Sequence, residues 1–134
     1  MVARLERDME YAQPTPVGEE VVMPESASQA WELYPRDSLV PLGDFSREAG
    51  FECPVLMTAE AIRVMTRDTF GGGPKLFRQE LIRRLGHVRT ASRQFTPVDA
   101  FIVHVQYQDF DIEELFVRQN FESREPFVLI TERV

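Results

Sequence analysis

The hydrophobic period of this chain changes at Pro97, and that change limits the folds open to it. Before it, Phe77, Leu81, Leu85 and Val88 recur at helical spacing and so share one face. After it, Phe101, Val103, Val105 and Tyr107 alternate with Ile102, His104, Gln106 and Gln108, a strand pattern rich in β-branched and aromatic residues. Residues 112–118 and 126–132 read as two further strands with short polar links. The expectation is therefore an α+β domain over residues 26–134, with N-terminal helices packed on a C-terminal three-stranded antiparallel β-sheet. Residues 1–25, with Pro14, Pro16, Gly18 and Pro24, read as an extended or partly ordered arm.

Local signals mark the helices. Ser26 is placed to cap a short helix over 27–34 that Pro35 limits. Asp44 reads as the N-cap of a turn over 46–49, and Gly50 as its C-terminal stop. Thr58 is expected to cap a helix running to about residue 67. The stretch TFGGGP, residues 69–74, reads as a flexible joint, and its proline suits the first turn of a helix over 74–95. Gly86 is a possible interruption that would divide that helix in two.

A chain of 134 residues with 43% hydrophobic content can bury one core without metal or disulfide support. The single cysteine, Cys53, leaves no internal disulfide. The polar start lacks an apolar stretch of signal-peptide length, and no run has the length of a membrane span. These features lead us to expect a soluble cytoplasmic protein without membrane contact. Charge is sorted along the chain. Residues 1–60 carry net −8, residues 61–98 net +6 and residues 99–134 net −5. Such sorting steers and selects partners without performing chemistry.

Motifs for catalysis or cofactors are weak. Cys53 has no neighbouring base in sequence and reads as a small buried hydrophobe. The two histidines and one cysteine show no metal-ligand spacing, so neither metal nor cofactor is expected. The GGGPK stretch lacks the spacing of a phosphate loop, and Pro74 removes one N–H donor, which favours a hinge. His104 shares its strand face with Gln106 and Gln108, which suits either a polar groove or a solvated surface. The acids Asp109, Asp111, Glu113 and Glu114 lack the glycine and distal glutamate of a calcium loop and sit at an expected hairpin. In the basic segment, Lys75, Arg78, Arg89 and Arg93 fall on one side of the helix and Arg83 and Arg84 add to the charge; all are available for phosphate.

Residues 44–58, DFSREAGFECPVLMT, resemble the central signature of a family of small uncharacterised proteins carried on bacterial plasmids and integrative elements, in which AREAGF.(F/C)PV..T recurs. Residues 37–42 and the closing EPFVLITE resemble that family's leading and final strands. The chain departs from the pattern between Asp68 and Phe77, where the family has a longer polar insertion. No catalytic residues come with the family. The resemblance implies an accessory protein of a mobile genetic element, a setting in which small acidic proteins act against host defence. Together with the charge sorting, it leads to the expectation of a non-enzymatic, acidic interaction protein. Asp109, Asp111, Glu113 and Glu114 would occupy the basic groove of a nucleic-acid-handling defence complex, as an anti-CRISPR-like inhibitor does by mimicking nucleic acid. The alternative is a nucleic-acid-associated accessory or regulatory protein acting through Lys75, Arg78, Arg89 and Arg93, against which the overall charge of −7 acts at long range. An enzyme built on His104 and carboxylates is the remaining class, and oligomeric state is left open.

Overall fold

The computed structural model describes residues 14–17, 21–35 and 38–133. Its frame is a six-stranded sheet of β1 (Thr15–Pro16), β2 (Leu39–Pro41), β3 (Val55–Thr58), β4 (Val98–Gln106), β5 (Ile112–Asn120) and β6 (Phe127–Glu132). Their spatial order is β1-β4-β5-β6-β3-β2. β3 runs parallel to β6, and the other pairs are antiparallel. Four α-helices lie among the described residues: α1 (Ala27–Glu32), α2 (Gly43–Glu48), α3 (Ala59–Thr66) and α4 (Gly73–Ser92). A 3₁₀ turn, Arg67–Thr69, links α3 to α4.

The expected architecture of helices followed by a three-stranded antiparallel sheet is thus corrected. The alternating segments after Pro97 pair in chain order as β4, β5 and β6, but they are half of a larger mixed sheet. Strands and helices are interleaved along the chain. The reason lies chiefly in β3, whose four residues are all buried. Val55 and Met57 enter one core cluster and Leu56 the other, so no polar residue marks an outer face. A strand buried on both faces reads as a plain apolar run without period. β1 and β2 are edge strands of two and three residues, too short to show alternation. Each ends in a proline, which an edge tolerates because one side of its backbone has no ladder to donate into.

The caps explain where the helices begin. Ser26 accepts a hydrogen bond from Gln29 N at 3.1 Å, and Thr58 Oγ1 accepts one from Ala61 N at 3.1 Å. Asp44 is not an N-cap: the helix starts one residue earlier, at Gly43, and Asp44 lies in its first turn, paired with Arg47. There its charge complements the helix N-terminus. α4 runs unbroken through Gly86 and ends at Ser92 with Arg93 as its C-cap. The segment 69–74 makes a turn closed by Gly72 N donating to Thr69 O at 3.0 Å. The arm is partly described: Thr15 and Pro16 pair with Ile102 and Phe101 as an edge strand, while residues 1–13 and 18–20 lie outside the described residues.

The sheet carries helices on both faces. On one, Leu81, Leu85, Val88 and Ala91 of α4, with Ala61 and Met65 of α3, pack on Phe101, Val103, Val105, Leu115, Val117 and Ile130. On the other, Ala30 of α1 packs on Leu39, Leu56, Phe127 and Leu129. The four-residue burial stripe of α4 turns its basic side away from the sheet.

Candidate anion-binding cleft

α2 ends in a turn that shapes the site. Gly50 N donates to Arg47 O at 3.0 Å and Phe51 N to Ser46 O at 3.0 Å, the paired bonds of a Schellman stop. Gly50 has φ +99°, a conformation that L side chains rarely adopt. The turn leads the chain into Phe51, Glu52 and Cys53, which run beside the end of α4. A Cβ on Gly50 would lie 2.9 Å from Arg89 Nε and 3.0 Å from its Cδ. Arg89 therefore crosses the chain at the one residue that leaves room for it.

The C-terminal end of α4 is tied to the sheet through Gln119, which is fully buried on β5. Gln119 Oε1 accepts from Ser92 Oγ at 2.5 Å, while Gln119 Nε2 donates to Ser92 O at 3.2 Å and Thr96 O at 2.8 Å. These bonds tie the last residue of α4 and the turn after it to the sheet, and fix the direction in which α4 delivers Arg89 and Arg93. Between this helix end and the Gly50–Cys53 segment opens a cleft of about 480 Å³, which Phe121 and Pro126 also line. Phe121 keeps 39% of its surface exposed. Its backbone is held by Phe121 N donating to Pro97 O at 2.9 Å.

Charge distinguishes this cleft. Among the described residues, neither Arg89 nor Arg93 pairs with a carboxylate. The helix dipole accounts for cations in a last turn, but not for two of them facing one concavity without an ion-pair partner. Glu52 is the one carboxylate in the lining. Burial pushes the Cys53 thiol up, Glu52 pushes it the same way, and a backbone hydrogen bond opposes both. Cys53 is therefore a neutral thiol in the wall.

The other sequence-derived candidates are distributed differently. Arg78 is committed to Glu48 and lies over the Phe45 ring at 5.0 Å. Lys75 is exposed in the first turn of α4, and no carboxylate among the described residues pairs with it. Arg84 is not available for phosphate: it is 3% exposed and grips Asp68 with bonds of 2.7 and 2.8 Å. Arg83 is joined to Glu80 at 2.7 Å.

The structure brings the acidic set together around a cation of its own. Arg67 lies 3.6 Å from Asp109, 3.3 Å from Asp111 and 3.4 Å from Glu113, and stacks on the Tyr107 ring at 3.9 Å. The Tyr107 hydroxyl donates to Glu113 at 2.8 Å. Burial raises the Tyr107 phenol, Glu113 raises it further, and Arg67 and Arg84 partly offset that. Glu114 pairs with Arg133 at 2.6 Å. Glu113 and Glu114 also line a second cleft, about 590 Å³, with Glu60 and Glu132. His104 sits beside β1, its Nε2 3.2 Å from Thr15 Oγ1. Among the described residues no group of three or more His, Cys, Asp or Glu is arranged to hold a metal ion. No helix among them is long and apolar enough to cross a membrane.

Gly50, Gln119 and Phe121 escaped sequence reasoning as parts of a site. Gly50 was legible as a helix stop, but its contact with Arg89 spans 39 positions and leaves no local pattern. The chain matches no protein-family model, and searches of curated proteins and of solved structures find none that matches. The resemblance to plasmid-borne proteins thus rests on the residues that carry it.

Proposed function

We propose that this protein is a non-enzymatic, nucleic-acid-associated accessory protein that holds a phosphate-bearing polyanion at the C-terminal end of α4. The observation that carries this reading is the pair of uncommitted guanidiniums, Arg89 and Arg93, facing one cleft. Arginine forks match phosphate oxygens bidentately, and pairing with phosphate releases counterions from the polyanion. Lys75 adds a cation at the other end of the helix. The overall charge of −7 weakens attraction at a distance, so binding depends on local contacts and is strongly salt-sensitive. Fluorescence anisotropy with a labelled oligonucleotide across a salt series tests it. Replacing Arg89 and Arg93 together by alanine should weaken binding and flatten the slope of log K against log salt by about 1.4, at roughly 0.7 per single-strand phosphate contact. Absence of any complex at low salt would remove the reading.

A second reading is favoured by the glutamate-lined cleft at the opposite ends of β5 and β6. There the protein, encoded on a mobile element as residues 44–58 suggest, would receive a basic segment of a defence complex. Against it stands the internal pairing of Asp109, Asp111 and Glu113 with Arg67 and of Glu114 with Arg133, which a partner would have to displace. Charge reversal of Glu60 and Glu132, whose cleft positions lie outside the Arg67 network, should abolish capture of such a partner.

A further inference from the structure

We infer that the cleft takes one unstacked base, so that the preferred ligand is single-stranded nucleic acid; this rests on the reading that Arg89 and Arg93 hold phosphate. The lining combines a phosphate-binding edge with an aromatic wall. Phe121 follows the last residue of β5, and its backbone is fixed to Pro97 at 2.9 Å. Phe121 nevertheless keeps 39% of its surface exposed and lines the cleft, although apolar rings gain by burial. An exposed ring on an anchored backbone is what a stacking platform requires, because every base offers a π-face. The cleft's volume of about 480 Å³ falls within the roughly 300–1,000 Å³ of ligand clefts.

Duplex nucleic acid fits poorly. Its bases are stacked inward, and it would need an extended cationic surface to replace the stacking contact. α4 lacks that surface, since Arg78 is spent on Glu48 between Lys75 and Arg89. Two arginines one helical turn apart suit a short run of backbone beside a single flipped base.

The test compares matched single-stranded and duplex 20-mers, as DNA and as RNA, binding to the wild-type protein, to Phe121→Ala, to Phe121→Trp and to Arg89→Ala/Arg93→Ala. The wild-type protein should prefer the single strands. Phe121→Ala should weaken single-strand binding by about 5- to 150-fold, the range for loss of one base–aromatic stack, and leave duplex binding unchanged. Phe121→Trp should restore it, which a merely unfolded alanine variant could not explain. If Phe121→Ala leaves single-strand binding intact while the double arginine variant loses it, base insertion is overturned and phosphate binding stands. If wild-type protein binds no oligonucleotide, or if poly-glutamate displaces the strand equally well, the phosphate reading fails with it.

Discussion

Asp68 and Arg84 illustrate how single residues commit the charge of this protein. Arg84 is almost fully buried, its two terminal nitrogens held by Asp68 and the Met65 carbonyl, while its Nε has no hydrogen-bond partner among the described residues. Removing Asp68 leaves this buried charge with Glu80, 3.5 Å from Arg84 Nη2, as its remaining carboxylate partner and with two short hydrogen bonds lost. Asp68→Ala should therefore cost about 3–5 kcal/mol in denaturant unfolding. The hydrogen bond from Arg84 holds the Asp68 carboxyl below its ordinary value of 3.8, with burial opposing and the Arg84 charge and backbone N–H groups reinforcing. A carboxyl depressed on folding stabilises fully above its unfolded value, and that stability is lost as pH falls through the folded value. The wild-type protein should lose this contribution only below about pH 4. Unfolding measured from pH 6 downward should show a steeper acid limb for the wild-type protein than for Asp68→Ala.

At the scale of elements, the two glycines that flank the basic face of α4 make opposite predictions. Gly50→Ala forces a side chain into a φ of +99° and against Arg89. It should destabilise by about 1–2 kcal/mol and weaken oligonucleotide binding together. Gly86→Ala meets nothing within 4 Å in a helix interior. It should stabilise by about 0.5–1 kcal/mol and leave binding alone. Thermal unfolding and anisotropy on the two variants check both halves. The same elements show what could be read in advance. The Ser26 and Thr58 caps, the Leu81–Leu85–Val88 stripe and the alternation of β4 are local patterns, and local patterns are visible in a sequence. β3 was hidden because burial on both faces erases its period. The acids after Tyr107 were legible as an exposed turn, but their shared partner, Arg67, lies more than 40 positions away. The two arginines of the cleft were legible as a basic helix face; that they and Lys75 lack paired acids among the described residues, while Arg78, Arg83 and Arg84 have them, was decided by tertiary packing.

Across the whole molecule, the sorting of charge along the chain becomes a sorting in space. The glutamate-lined cleft lies at the start of β5 and the end of β6, and the arginine cleft at the end of β5 and the start of β6. The nine residues of β5 separate them by about 30 Å. That separation exceeds the screening length of about 8 Å at physiological salt, so the two ends act independently. The acidic end stays net negative, three carboxylates sharing Arg67 there, whereas the other cleft holds two arginines against one glutamate and so is locally positive in a protein of net charge −7. The most direct measurement is an amide chemical-shift titration of isotope-labelled protein with a short single-stranded oligonucleotide at low salt. The account predicts shifts confined to residues 50–53, 89–93 and 119–122. Shifts centred on residues 60, 113–114 and 132–133, or none at all, would contradict it.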